Sequence, residues 1–428
     1  MKRRPELLAP AGSLRHVRLA AEYGADAIYA GVPRWSLRVR GNGFTRDDFK
    51  EGIETAHALG KKFFAVLNVI PHMRRTQSFT QALDEVVALG PDALIMSDPG
   101  LIDQALERHP GVDIHLSVQN NTVNSGTVRF WQKLGVKRCI LARELSLGEI
   151  EMIRNECPDM ELEVFAHGAL CIAVSGRCLI SGMLAHRDAN VGACTNSCRW
   201  GYNVRSISAE IEEDSQRKGQ WMPIEEDEHG TYLLNSKDLC TLPVLKRLID
   251  IGVDCLKIEG RSRSPFYSAA MSRAYRAAID SILSGGEVPG QSWEIVNSIP
   301  SRGYTTGLLE AHRPDETQEY ETNCPSPNSW QQVGQVEKRE NGRIYVRVLN
   351  RFDRDSRLIL FTPGGLIRMD GSSLRDEQGN PTDTAKGDGY RVSLECAADF
   401  DPGLSFLLRD DSAPAITAGA PIPARIST

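Results

Sequence analysis

Cys171 and Cys178 stand as C-x6-C, Cys194 and Cys198 as C-x3-C, and Cys240 closes the stretch LNSKDLC. Half of the chain's ten cysteines therefore fall in one region. Thiolates are soft ligands for zinc or for an iron–sulfur cluster, and either normally takes four. Zinc knuckles favour C-x2-C pairs, which are absent. A cluster is wider than one ion and accepts uneven spacings, so the spacing favours iron–sulfur and leaves zinc as the second metal. The bland alternative is that free cysteines are small buried hydrophobes. It suits Cys139 and Cys255, inside predicted strands, and also Cys157, Cys324 and Cys396. It suits the other five poorly, because they lie among Gly, Ser, Arg, Asn and Asp.

A scaffold must hold these residues. Short apolar runs recur at 6–11, 27–32, 63–68, 93–98, 114–119, 138–144, 161–168 and 254–260. Between them lie amphipathic stretches such as 46–60, 79–90 and 125–135, each ending in Gly, and a last helix is expected at 265–286. Eight strands alternating with helices predict an α/β fold, a (β/α)8 barrel, with an open doubly wound sheet as the alternative. The repeat breaks only after the seventh run, where 169–240 forms a long cysteine-bearing insertion. Barrel chemistry sits on the loops that follow the strands, so the insertion belongs to the active face.

The barrel domain is thus 1–286, insertion included. Residues 287–330 read as a connector rich in Pro, Ser, Asn and Thr. Short alternating runs over 331–412 predict a small all-β barrel domain, and 413–428 a tail. The chain has 428 residues, is 41% hydrophobic and 25% charged, and carries a net charge of −6. That excludes a globally basic nucleic-acid binder but leaves room for a local basic patch. No run approaches the roughly 20 apolar residues of a membrane span, and no signal-peptide core is present. A cytoplasmic protein with reduced thiols is expected, which again points to metal or redox chemistry before disulfides.

EVFAHGALCIAVSGRCLIS, Glu163 to Ser181, resembles the signature of the family filed as peptidase U-32. LLAPAGS, HRDANVGACTNSCRW, LLNSKDLC, KIEGR and RGYTTG agree with it, and the resemblance spans essentially the whole chain, the β domain included. CTNSCRW and RGYTTG point to the branch that hydroxylates the wobble uridine of tRNA in a prephenate-dependent way. That branch implies a 4Fe–4S cluster held by four cysteines and 5-hydroxyuridine as product, the first step towards 5-carboxymethoxyuridine. Carried over by position, Cys171, Cys178 and Cys194 are ligands. Cys240 is preferred as the fourth, with Cys198 as the alternate. The implied partners are the tRNA anticodon loop, prephenate and iron–sulfur assembly machinery. Relatives imply hydroxylation of ribosomal RNA or a quinone as alternatives, and the family name a collagenase-like peptidase; a cluster that is structural or a sensor would instead leave a non-catalytic iron–sulfur RNA-binding or assembly protein. For the peptidase, no GxSxG or HExxH is present. His167 lies near Cys171, but one nucleophile does not explain five cysteines.

Strand ends on the active face offer Asn68, Asp98, Gln119, Arg143, Glu144, His167, Lys257, Glu259 and Arg261. Loops add Arg34, Arg38, Arg40, Arg302 and Tyr304. Prephenate carries two carboxylates, which planar guanidinium groups bind bidentately. We therefore expect Arg143, Lys257, Glu259 and His167 as catalytic residues and Arg38, Arg261 and Arg302 as substrate-binding residues. The bland reading is that such charges pair across the barrel top or are simply solvated. The acidic stretch 209–230 reads as a solvated excursion.

Overall fold

A computed structural model describes residues 3–37, 44–170, 209–212, 221–227, 230–232, 236–310, 329–387 and 389–412. Seven parallel strands come first: β1 (Glu6–Ala11), β2 (Ala27–Gly31), β3 (Lys62–Leu67), β4 (Ala93–Met96), β5 (Asp113–Leu116), β6 (Arg138–Ile140) and β7 (Glu161–Ala169). The insertion holds β8 (Ala209–Glu212), β9 (Trp221–Asp227) and β10 (Gly230–Tyr232), an antiparallel three-stranded sheet where a solvated excursion was expected. After it come β11 (Asp238–Cys240), β12 (Cys255–Ile258) and β13 (Tyr304–Thr305). β12 pairs with both β1 and β7, so the eight predicted strands close into the expected barrel.

The helices are α1 (Leu14–Glu22), α2 (Arg46–Ala58), α3 (Thr76–Val87), α4 (Pro99–Arg108), α5 (Ser125–Lys133), α6 (Leu147–Glu156), α7 (Leu245–Ile251), α8 (Pro265–Leu283) and α9 (Gly290–Asn297). Local chemistry starts several of them. Thr45 and Asp48 form a capping box on α2, and Ser146 and Glu149 form one on α6. Residues 287–330, expected as a connector, contain α9 and β13. Ile295 and Val296 bury one face of α9, and Ser292 Oγ donates to the Ala274 carbonyl of α8 (2.9 Å).

An antiparallel β domain follows, as expected: β14 (Trp330–Glu340), β15 (Arg343–Val348), β16 (Phe352–Asp353), β17 (Leu358–Thr362), β18 (Gly365–Met369), β19 (Thr384–Ala385), β20 (Arg391–Glu395) and β21 (Phe406–Asp410). Its main sheet runs β18-β17-β21-β14-β15-β20. The domain is welded to the barrel's flank. Tyr23 Oη donates to the carbonyls of Phe361 (3.1 Å) and Leu404 (2.6 Å), and Phe266 meets Phe361 and Phe406 edge-on. Among the described residues, no helix is long and apolar enough to cross a membrane.

Alternation along each strand divides the barrel core. One set of side chains packs outward under the helices, and Leu8, Tyr29, Phe64, Ile95, Phe165 and others fill the interior. The interior also holds charge. Arg138 reaches Glu6 (2.7 Å), Glu161 (2.7 Å) and Glu163 (3.3 Å), Lys257 reaches Glu163 (2.8 Å), and Lys62, itself exposed, reaches in to Glu6 (2.9 Å). Burial works to raise the Glu6 carboxyl, and the Arg138 guanidinium outweighs it, leaving the carboxyl below its ordinary value. His115 lies edge-on to Phe64, with ring centroids 4.7 Å apart. Burial, reinforced by Arg138 and Lys257, holds its imidazole well below its usual range.

Candidate active site

Four stretches singled out in the sequence become four adjacent strands. KIEG ends β12, EVFAHGA is β7, DLC is β11 and the YT of RGYTTG is β13. They lie side by side in the order β12-β7-β11-β13. β11 runs back antiparallel along the end of β7, with Cys240 opposite His167 and Asp238 opposite Ala169.

The first half of the signature has a structural logic. Glu163 is the buried anion shared by Arg138 and Lys257. Phe165 lies under two cations: the Arg143 guanidinium, 3.8 Å from the ring centre, and Lys257, 5.7 Å away. Gly168 has φ +109°, and a Cβ there would meet the Glu259 carbonyl oxygen at 2.4 Å. Only glycine lets the ends of β7 and β12 approach so closely. Cys171, Cys178, Cys194 and Cys198 lie outside the described residues, as does Arg38.

Arg143 follows β6 and pairs with Glu259 at 3.5 Å. Arg143 borders a shallow, largely apolar hollow walled by Leu141, Val164, Phe165, Leu170, Leu239 and Leu309, with room for about one water molecule. Lys257, expected at the mouth, is instead inside the barrel, paired with Glu163 and 4.5 Å from the Tyr29 ring centre. Arg261 reaches back from β12 to the Leu37 carbonyl. It crosses so close to Gly31 that a Cβ there would meet its guanidinium at 2.1 Å. Arg302 lies just before β13, half-buried.

His167 is buried among the rings of Tyr267, Tyr275 and Tyr304, with Nδ1 3.3 Å from Tyr275 Oη. Burial, with Arg263 adding to it, pushes its pKa down to about 3, so the imidazole is neutral at physiological pH. Tyr275 Oη lies 2.8 Å from the Ala166 carbonyl and 3.7 Å from Cys240 Sγ. Burial pushes the Cys240 thiol up to about 11. A thiol peptidase needs the reverse, a thiolate favoured by a neighbouring imidazolium. A buried sulfur with one hydroxyl donor does fit a soft-metal ligand, whose proton leaves when the cation binds. Among the described residues no three His, Cys, Asp or Glu side chains form a metal-binding group.

Other expected mouth residues serve the frame. Asp98 caps α4 by accepting from Leu101 N (3.1 Å), Asn68 Oδ1 accepts from Leu37 N (3.0 Å), and Gln119 Oε1 accepts from Ser97 and Ser117. Of the tyrosines around His167, Tyr304 was offered by the sequence as a mouth residue, whereas Tyr267 and Tyr275 were missed. Those two sit on one face of the last barrel helix, at a spacing that reads as ordinary core.

The profile described as Peptidase family U32 matches residues 12–319, and the one described as Peptidase family U32 C-terminal domain matches 328–409. The chain is 45% identical over 441 residues to tRNA hydroxylation protein P of Escherichia coli (strain K12), a match covering 96% of this chain and 97% of that one. With the protein of the same name from Haemophilus influenzae it shares 42% identity over 443 residues, 95% of this chain and 96% of that one. A protein named Collagenase from Porphyromonas gingivalis is 31% identical over 322 residues, 72% of this chain and 74% of its own length.

Proposed function

The chain belongs to peptidase family U32, and from that premise we propose that it hydroxylates the wobble uridine of tRNA at C5 in a prephenate-dependent reaction. The observation that carries this reading is the correspondence, along nearly the whole of both chains, with tRNA hydroxylation protein P of Escherichia coli. The reaction would place its work in the cytoplasm, on the anticodon loop.

Replacing a ring C–H by C–OH is an oxidation that needs an oxygen donor and an electron acceptor, which ordinary side chains do not provide. In this proposal Cys171, Cys178 and Cys194, with Cys240 or Cys198 as fourth, hold a 4Fe–4S cluster. When bound, it supplies electron transfer. Zinc would satisfy the same thiolates but not the redox requirement.

The remaining roles belong to side chains. Arg143, with Phe165 beneath it and Glu259 beside it, presents a fixed guanidinium to the hollow, matched to a carboxylate or to the uracil carbonyls. Arg261, Arg302 and Arg38 would supply the further cations that a dicarboxylate requires. Lys257 acts through Glu163, holding β7 in register, and is a positioning residue. Neutral His167 and the tyrosines around it exclude water beneath the strand end and orient Cys240. The buried, protonated Cys240 does not suit a peptidase nucleophile, and Cys171, the thiol the sequence places near His167, lies outside the described residues.

The test is nucleoside mass spectrometry of bulk tRNA from a strain lacking this chain and any paralogous wobble hydroxylase. We expect 5-hydroxyuridine and its derivatives to vanish, and to return with the intact chain but not with Cys171→Ala. An unchanged nucleoside profile overturns the reading.

A further inference from the structure

Guanidinium groups in the barrel domain are paired as a rule. Arg4 and Arg276 share Asp26, Arg108 meets Asp84, Arg129 meets Glu156, and Arg247 meets Glu151. Arg15 on α1 and Arg34, Arg74 and Arg75 depart from this, the last three close together. These three are exposed, and among the described residues none has a carboxylate within ion-pair distance. All three sit on the loops after β2 and β3, at the C-terminal face where the barrel's chemistry lies.

These two loops form one lip. Val69 N donates to the Trp35 carbonyl (3.2 Å), and Leu37 N donates to Asn68 Oδ1 (3.0 Å). The Arg75 guanidinium stacks 4.6 Å from the Trp35 ring centre, and Trp35 is braced edge-on by Phe79 (5.3 Å). Arg34 has φ +68°, a left-handed conformation that costs a non-glycine residue on the order of 1 kcal/mol. Between the arginines Met73 stands 85% exposed, with Ile70 and His72 beside it. Three uncompensated cations around an exposed apolar side chain, on a chain of net charge −6, form a local basic patch.

We propose that this lip docks the sugar–phosphate backbone of the RNA. Arg34, Arg74 and Arg75 contact phosphates, and Met73 with Ile70 offers apolar surface to an unstacked base. The proposal rests on the tRNA reading above. It adds where on the barrel's rim the RNA lies: over the second and third strands, with Arg261 linking the lip to the end of β12 through the Leu37 carbonyl.

The test measures binding of an unmodified tRNA transcript with a wobble uridine to the full chain across a salt series. The lip variant combines Arg34→Gln, Arg74→Gln and Arg75→Gln. A flank variant, Arg129→Gln with Lys133→Gln and Arg247→Gln, removes the same charge from the helical ring. The lip variant is expected to bind tens of fold more weakly at physiological salt, and its log K against log salt slope to shrink by about 2, roughly 0.7 per lost phosphate contact. The flank variant keeps both affinity and slope. Met73→Ala weakens binding a few-fold at an unchanged slope, because an apolar contact releases no counterions. If the intact chain binds and the lip variant matches it, or if lip and flank variants lose equally, the lip proposal falls and the tRNA reading stands. If the intact chain binds no tRNA and its deletion leaves the nucleosides unchanged, the tRNA reading itself falls, and the lip proposal with it.

Discussion

Inside the barrel Arg138 meets Glu6, Glu161 and Glu163 within 3.3 Å, whereas at the lip Arg34, Arg74 and Arg75 meet no carboxylate among the described residues. The two regions use the same side chain under opposite constraints. A buried guanidinium must be satisfied by the fold itself, because desolvating it alone costs several kcal/mol. An exposed one is already satisfied by water, so leaving it unpaired costs the fold little and keeps it available. A charge without a partner is therefore uninformative in isolation. It becomes informative when three gather on two stitched loops in a domain that pairs most of the rest.

The sharpest way to break this comparison is Arg138→Met. It leaves Glu6 and Glu161 without their principal cation, and Glu163 with Lys257 alone. We expect about 3–5 kcal/mol of stability to be lost in denaturant unfolding. A loss below 1 kcal/mol would mean that the interior charges are not the fold's concern. Acid probes the same interior more gently. The folded His115 pKa lies well below its unfolded value near 6.5, so its stabilising contribution is complete above that pH and is lost as pH falls. The folded Glu6 carboxyl is also depressed, so its contribution declines below about 4.5, with the same sign. Stability should therefore fall between pH 6.5 and 5 by up to about 1.4 kcal/mol per pH unit from His115, with Glu6 adding to the loss only below about pH 4.5. His115→Phe should flatten part of that slope. A profile identical to the intact chain's would remove His115 from the account. The smallest effect belongs to the lip, where Arg34→Gln and Arg74→Gln should shift unfolding by less than about 0.5 kcal/mol. A larger loss would make these arginines part of the fold.

The barrel was legible because each interior strand is a compact apolar run and each following helix has its own periodicity. What the sequence withheld was direction. Lys257 and Glu259 stand two apart in KIEG, and nothing in that spacing says that the first turns into the barrel to meet Glu163 while the second reaches Arg143 at the rim. Glu163 itself reads as one charged residue opening a signature. Its pairing with Arg138 joins residues 25 apart in sequence, a relation fixed only by the register of β6 and β7. α9 was missed because its eight residues sit among Pro, Gly and Ser and carry too few turns to show a period. Arg34 was visible as a loop arginine, while Arg74 and Arg75 were not marked. Only the ring stacking and the stitched backbone make the three one surface. The cysteine cluster is the reverse case, the plainest signal in the sequence, with Cys240 alone among the described residues.

The return of β11 along β7 has a consequence for how this scaffold can change. Ala169 and Asp238 face each other in one ladder, so the two ends of the intervening segment are fastened together at the rim. Closing that loop is accomplished by the ladder, and doubling the length between would add only about 0.6 kcal/mol of chain entropy. The entropic cost of closure is thus nearly independent of the length that hangs from the clasp. A lineage could exchange, lengthen or trim that segment as a cassette, changing the chemistry at the rim while inheriting the cylinder beneath it unaltered.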